Sequence, residues 1–504
     1  MTLNDRINAW HDEQLAGMRR GIEKESLRTT PDGGLAMTPH PLALGSALTH
    51  PHITTDFSES QVELVTGAFR RVEDTLAQLT ELHQVVARAI GEERLWVSSM
   101  PCCLPVESAI PLGRYGRSHI GRAKTVYRQG LAHRYGRRMQ TISGIHYNWS
   151  LPGLGNDEYF HLIRNFRRHS FLLLWLFGAS PALCASFVDG LDHGLQPLGP
   201  GTLHLPHATS LRMGRLGYQS EAQASLAVSY NDLAGYGASL EDAMTRTWPP
   251  YESIGLRDEQ GLYSQLSTHL LQIENEFYGT IRPKRAIRSG ERPLHALRQR
   301  GVEYVEVRCM DLDPFETIGI AGDTARVIDL FLLHCLASDS PPDSPEEIAV
   351  LGENQQRAAA RGREPGLRLT RGGAEVLLVD WAAELLQDCE AIARRLDALD
   401  GGEAYQAALA AAQAKLAAPD SLPSARVLQE ATGTWRGEVT VMTAALSQAS
   451  RRALLSMPLP PERALHWAAV AARSLDEQRE IEATQQGSFE DFLVDYLSPA
   501  GLHP

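Results

Sequence analysis

The chain has 504 residues, enough for a large buried core, and its 43% hydrophobic and 22% charged content is that of an ordinary soluble globular protein. A formal net charge of -13 excludes a general nucleic-acid binder, and any anionic substrate must be met locally by metal ions or well-placed arginines. Six cysteines with no C-x-x-C spacing exclude a disulfide framework, a zinc ribbon and thioredoxin-like chemistry, so reduced cytoplasmic thiols are expected.

The opening Met1-Thr2-Leu3-Asn4-Asp5 has no apolar run of the signal-peptide kind. Residues 5–19 read as a short amphipathic helix leading into the extended stretch Arg20-Gly21-Ile22-Glu23-Lys24-Glu25-Ser26-Leu27. In a strand, residues two apart share a face, so Glu23 and Glu25 point the same way, about 7 Å apart. Carboxylates that close repel unless a cation sits between them. Mg²⁺ takes oxygen ligands and usually shares them with substrate phosphates. For a lone Glu-x-Glu, a solvated strand face is the commoner outcome.

Pro31-Asp32-Gly33-Gly34 is a turn. Ile53-Thr54-Thr55-Asp56-Phe57 reads as a strand ending near Asp56, and Gln61–Val65 as another, with Glu63 facing away from Val62 and Leu64. Leu76, Leu79, Leu82, Val86 and Ile90 give helical spacing over 72–91. Ser118–Arg138 is basic. Gly116 and Gly121 have Walker-like spacing there, but Arg122-Ala123 stand where Lys-Ser/Thr would follow. No P-loop or Rossmann fingerprint occurs, so a nucleotide must bind in some other fold.

Within Met139–Leu151, His146, Asn148 and Ser150 alternate with Tyr147, Trp149 and Leu151, the pattern of a half-buried strand with a polar face. A lone His on such a face is more often a hydrogen-bonded structural residue than a ligand. Phe171–Val188 is uncharged and follows Arg164, Arg167 and Arg168, but Gly178-Ala179-Ser180-Pro181 interrupts it. It reads as a buried helix, a turn and a strand, with no membrane span. Ser225–Leu233 reads as a strand. Leu270–Tyr278 offers an alternating carboxylate face and runs into the basic turn Ile281–Arg285.

Gly301–Arg308 is the cleanest strand: Val305 and Val307 face one way, Tyr304, Glu306 and Arg308 the other. Glu306 and Arg308 can pair with each other, or divide between a metal and an anion. Ser338–Glu347 is a Pro-, Ser- and Asp-rich linker in which Ser344-Pro345-Glu346-Glu347 has helix-start chemistry. Beyond it, helical periodicity runs to about residue 415 and again over 424–456, broken at Asp420–Pro423 and Met457–Pro461. The division expected is a β-rich catalytic core over 1–336 and a helical scaffold over 337–504, packed as one unit.

Together, Gly21–Glu25, Leu44–His50, Ile53–Phe57, Met139–Leu151 and Gly301–Arg308 resemble, in this order, the glutamate–cysteine ligases of the proteobacterial type. Leu176–Ala182, Tyr278–Arg285 and Gly401–Gln406 extend the resemblance over essentially the whole chain. The resemblance implies an α+β fold: a glutamine synthetase-like curved antiparallel sheet carrying the active site, surrounded by helices, with a helical C-terminal third. It also implies a reaction. ATP phosphorylates the γ-carboxylate of L-glutamate, and the amine of L-cysteine attacks the γ-glutamyl phosphate. The products are γ-glutamylcysteine, ADP and phosphate, in the first step of glutathione biosynthesis.

By the same resemblance, Glu23, Glu25, Asp56, Glu63, His146 and Glu306 are ligands of a Mg²⁺ cluster, for which Mn²⁺ can substitute. Arg308 faces the transferred phosphoryl group. Arg212 and Asn148 hold glutamate, with Gln140 nearby. Phe57, Tyr127, Leu131, Tyr218 and Tyr278 shape the cysteine pocket. Lys124, Arg128, Arg282 and Lys284 join Arg308 on the ATP phosphates, although a basic surface loop accounts for them equally well. Lys24 stands where many relatives have Arg, and Trp149 where Phe is common, with little effect expected on chemistry. A monomer without nucleic-acid, membrane or obligate protein partner is expected. Two alternatives are a related glutamate–amine ligase and a non-catalytic glutamate- or nucleotide-binding regulator.

Overall fold

The computed structural model describes residues 3–217, 221–224, 226–288 and 290–504. The longest strand, β1 (Arg19–Thr29), is flanked by β3 (Gln61–Val65) and β5 (Ile145–Ser150). With β2 (Ile53–Thr55), β9 (Ile281–Lys284) and β10 (Tyr304–Met310) the order is β2-β3-β1-β5-β10-β9, antiparallel throughout. A short β4 (Arg94–Leu95) pairs with the far end of β1.

Because side chains alternate along each strand, register decides which residues share a face. Ile22, Leu64, Tyr147, Trp149, Val305 and Val307 all point to one side and are buried. Helices Val72–Ala89, Asn156–His169 and Phe171–Phe177 pack on the sheet, and Gly322–Ala337 packs on the first two. Each large apolar side chain so covered contributes about 1.5–3 kcal/mol. Every residue of Phe171–Phe177 is buried, as an all-apolar helix requires. The turn at Gly178 then leads into β6 (Ala182–Cys184), which joins β7 (Gln196–Gly199) and β8 (Thr202–His204) in a second small sheet ordered β6-β8-β7. Among the described residues no helix is long and apolar enough to cross a membrane.

Behind the main sheet, Arg20 and Asp329 form a buried ion pair at 3.0 Å. The hydroxyls of Tyr147 and Tyr405 donate to Asp329 at 2.9 and 3.2 Å. The cluster ties the sheet to the C-terminal helices, since Tyr405 belongs to the helix Ala404–Ala417. A second tie explains the Leu44–His50 motif. The helix Pro461–Thr484 crosses it so closely that a Cβ on Gly45, at φ +79°, would lie 2.4 Å from Ser474 Oγ.

Several local expectations change. The first helix is two short ones, Leu3–Ala9 and Asp12–Ala16. Residues 226–232 of the expected Ser225–Leu233 strand form no strand, and Ser225 is outside the described residues. Instead Asp232 caps the helix Leu233–Thr245 by accepting from Gly235 N at 2.7 Å. Leu270–Tyr278 is not a strand either. It contains the 3₁₀ turn Glu274–Glu276, whose carboxylates are taken by Arg292 and Arg134 at 2.7 and 2.8 Å. The helical third starts at Pro345 with Ser344 as cap, but the hairpin β11–β12 (Arg368–Arg371, Ala374–Leu377) interrupts it. The Walker-like glycines only frame a helix start. Ser118 caps the helix His119–Tyr135, and a Cβ on Gly121 would lie 2.2 Å from the Tyr115 carbonyl oxygen.

Candidate functional site

Register brings distant acidic residues to the face of the sheet opposite the helices. Glu25 lies directly across from Glu63, Glu23 from His146, and Glu306 from Asn148 on one side and Arg282 on the other. One ligand atom each from Glu23, His146 and Glu306 lie within 4.8 Å of one another. His146 Nδ1 is 3.1 Å from Glu23 Oε2, and its Nε2 is 3.8 Å from Glu25 Oε1. Asn148 Nδ2 donates to Glu23 Oε1 at 2.9 Å. Arg308 donates to Glu306 Oε2 at 2.9 Å, and Lys284 Nζ stands 3.2 Å from Glu306 Oε1.

The basin has two electrostatic halves. Burial pushes the Glu306 carboxyl up, but Lys284 and Arg308, then His146 and Arg282, outweigh it and hold it well below the ordinary range. Burial and Glu306 push Glu23 up, yet its bond to His146 and the charges of His146 and Lys284 leave it lowered. The other half behaves oppositely. Burial, then Asp56, push Glu25 up to about 8 against Arg212, the Gly144 amide and Arg308. Burial, Asp56, Glu23 and Glu25 raise Glu63 well above its usual value. Burial, then Arg308, lower His146, so its imidazole is a neutral nitrogen donor near pH 7.

The helix His119–Tyr135 brings cations to the Asp56–Glu63 end. Arg128 donates to the Asp56 carbonyl, and its guanidinium lies 4.4 Å from the Tyr115 ring centre. Lys124 sits 5.3 Å from the same ring, and burial, then Arg128, lower its ammonium to about 8. Phe57, next to Asp56, and Leu131 on the helix are buried. Burial, then Glu276, raise the Tyr127 hydroxyl against the charges of Arg128 and Arg282.

Arg212 is buried. It donates to the Arg308 carbonyl at 2.8 Å and lies 3.7 Å from Asp311. It fills the place of a missing side chain, since a Cβ on Gly144 would lie 2.0 Å from its Nη2. The Gly144 amide meanwhile donates to Glu25 Oε2 at 2.8 Å. Gln140 Nε2 donates to Tyr278 OH at 2.6 Å. Tyr278, Arg212 and Arg308 line a cavity of about 50 Å³, which adjoins a larger one of about 640 Å³ sharing Tyr278, Gly279 and Thr280. Arg282 is less free than expected. Its guanidinium donates to the carbonyls of Asn275 and Phe277 and so anchors the loop before β9. Tyr218 lies outside the described residues.

Three contributors escaped the sequence reading. Asp311 accepts from Ala179 N, Ser180 Oγ and Ser210 Oγ at 2.9, 2.6 and 3.0 Å and so backs Arg212. Alternation from Glu306 misplaces it, because the register shifts between Val307 and Met310. Gly144 looks like an ordinary loop glycine. The third, expected only on an alternating carboxylate face and not in this role, is Glu276, which accepts from Arg134 and, at 2.6 Å, from Tyr135 OH, beside the Tyr278 ring.

A family model described as glutamate–cysteine ligase matches residues 5–154 and 153–358. The curated glutamate–cysteine ligase of Hahella chejuensis is 45% identical over 98% of both chains. That of Azotobacter vinelandii is 49% identical over 94% of this chain and 93% of its own. Among solved structures, a Francisella tularensis glutamate–cysteine ligase in complex with AMP superposes with a TM-score of 0.91 at 35% identity, covering 95% of this chain and 97% of that one. A bifunctional glutathione synthetase from Pasteurella multocida superposes with a TM-score of 0.71 at 25% identity, with 93% of this chain matching 57% of that one.

Proposed function

This chain belongs to the glutamate–cysteine ligase family, and from that premise we propose how its carboxylate basin carries out the family's reaction. The reaction is the ATP-dependent ligation of L-glutamate, through its γ-carboxylate, to the amine of L-cysteine. It is the first step of glutathione biosynthesis. The observation that carries the residue assignment is the convergence of Glu23, His146 and Glu306 within 4.8 Å, beside Arg308.

The donor set fits divalent cations. Carboxylate oxygens and one imidazole nitrogen face each other, and the buried Asn148 Oδ1 has no hydrogen-bond partner. Burial and neighbouring carboxylates raise both Glu25 and Glu63, and a cation reverses that balance. Glu23, Glu25, Asp56, Glu63, His146 and Glu306 are the ligands in this reading. Mg²⁺, or Mn²⁺ in its place, supplies neutralisation of the phosphate oxygens when bound.

Phosphoryl transfer is mostly positioning and charge stabilisation. Arg308, fixed by Glu306, places a guanidinium on the transferred group. Arg212, backed by Asp311, offers a planar fork to a glutamate carboxylate, with Asn148 and Gln140 alongside. Lys124, Arg128, Arg282 and Lys284 bring positive charge to the ATP phosphates. Arg282 also anchors the loop before β9. Phe57, Tyr127, Leu131 and Tyr278, with Tyr218, enclose the cysteine side chain. The amine then attacks the γ-glutamyl phosphate carbonyl carbon, and phosphate leaves. The same reading takes residues 1–336 as the catalytic core and 337–504 as its scaffold, in a cytoplasmic monomer.

The test is phosphate release from ATP in the presence of glutamate, with and without cysteine, across a panel of amines. Release should depend on Mg²⁺ and be fastest with cysteine. Equal rates for cysteine and for an amine lacking the thiol would overturn the pocket assignment.

A further inference from the structure

We propose that Cys103 and Cys184 form a thiol–disulfide exchange site for soluble low-molecular-weight disulfides, separate from the basin and independent of the reading given for it. Their Sγ atoms are 3.5 Å apart although 81 positions separate them in the chain. No C-x-x-C pattern announces such a pair. Cys103 is exposed and therefore reachable, while Cys184, at the end of β6, is buried. Both backbones are pinned. Cys103 N donates to the Gly33 carbonyl at 3.1 Å, and its own carbonyl accepts from Leu35 N at 3.2 Å. Leu104 N donates to Ser186 Oγ at 3.0 Å, whose hydroxyl donates to Cys184 Sγ at 3.2 Å. Bonding at about 2 Å thus asks the sulfurs to close the gap by side-chain rotation, with the two segments already in place.

The surroundings divide the labour between the two sulfurs. Ser186 donates to the Cys184 sulfur, while Cys103, on the exposed side, is the one an incoming disulfide reaches first. The neighbouring Cys102 is wholly buried, and burial raises its thiol, which keeps it inert. In the first step Cys103, its proton given up to solvent, attacks one sulfur of the incoming disulfide RSSR through its thiolate. The S–S bond breaks, and RS⁻ leaves and is protonated by solvent. In the second step Cys184, having lost its own proton to solvent, attacks Cys103 Sγ in the mixed disulfide and expels the second RS⁻, which is likewise protonated. The balance is two protein thiols plus RSSR giving one protein disulfide plus two RSH. The two cysteines are oxidised by two electrons, and RSSR is reduced by two.

The experiment incubates the full chain with 2-hydroxyethyl disulfide, blocks remaining thiols with an alkylating agent and maps the digest by mass spectrometry. The wild-type chain should show a Cys103–Cys184 cross-link that a dithiol reverses, with the other four of its six cysteines alkylated. Cys184→Ser should trap the mixed disulfide on Cys103. Cys103→Ser should leave Cys184 without an adduct. A mixed disulfide that persists on Cys103 in the wild-type chain would overturn the proposal. So would a cross-link through Cys102, or no reaction at either residue.

Discussion

The two faces of the central sheet each carry a cluster of charge, and they are built on opposite principles. Behind the sheet, Arg20 and Asp329 meet at 3.0 Å with two tyrosine hydroxyls completing the carboxylate. That cluster is closed, because each charge has its counterpart. In front, one end of the basin is matched, with Glu306 against Arg308 and Lys284. The other end is not: Glu25 and Glu63 face each other across β1 and β3 beside Asp56. A closed cluster contributes to holding the fold. An open one costs folding energy and leaves a place for a cation. The same strands, β1 and β5, serve both because alternate residues face opposite ways.

The contrast can be broken most severely from the front. Glu306→Gln should lower ligation by about 100-fold or more, because one ligand loses its charge and Arg308 its partner. Its circular dichroism spectrum should be unchanged, and normal turnover would remove Glu306 from the site. From the back, Asp329→Asn should cost about 3–5 kcal/mol of stability, since it leaves Arg20 buried and unpaired. Urea unfolding measures that loss, while ligation well below the unfolding midpoint should persist.

How much of this was visible beforehand differs between the faces. Alternation in Gly301–Arg308 and in His146-Tyr147-Asn148 is enough to say which side chains share a face. It cannot say that Glu23 meets His146, because that pairing is set by register between strands far apart in the chain. Alternation also misleads where another force supplies it. Glu274 and Glu276 are two apart because each answers an arginine, Arg292 or Arg134, brought by a different segment. Cap chemistry outweighs the apparent strand before Leu233. In the helical third, Gly372 and Gly373, at φ +57° and +83°, make the tight turn of a hairpin that the surrounding helical composition conceals.

A third prediction sharpens the difference by titration. Without a cation, burial and then Asp56 push the Glu25 carboxyl up to about 8 from the ordinary 4.5. A carboxyl whose folded pKa is raised holds its proton longer in the folded state. Its stabilising share is therefore complete at low pH and is lost as pH rises through about 4.5 to 8. Glu63 shifts in the same direction. The thermal midpoint of the metal-free chain should fall across that window, and millimolar Mg²⁺ should raise it most at the alkaline end. A midpoint rise with Mg²⁺ that does not vary with pH would separate the metal from these two residues. The smallest effect is expected at the edge of the basin. Tyr278→Ala should raise KM for cysteine about tenfold, and that for glutamate much less. Equal changes would place Tyr278 elsewhere.

The order of strands has a consequence for how the protein is made. β1, from residues 19–29, is made before its partner β5 and before β10 beyond it, which come from residues 145–150 and 304–310. Until they emerge, the nascent chain carries an open hydrogen-bonding edge and clustered acids with no imidazole among them. Synthesis therefore has to pass residue 310 before Glu23, His146 and Glu306 can meet around one cation, and a transcript cut short upstream of β10 yields a polypeptide with neither the complete sheet nor its chemistry.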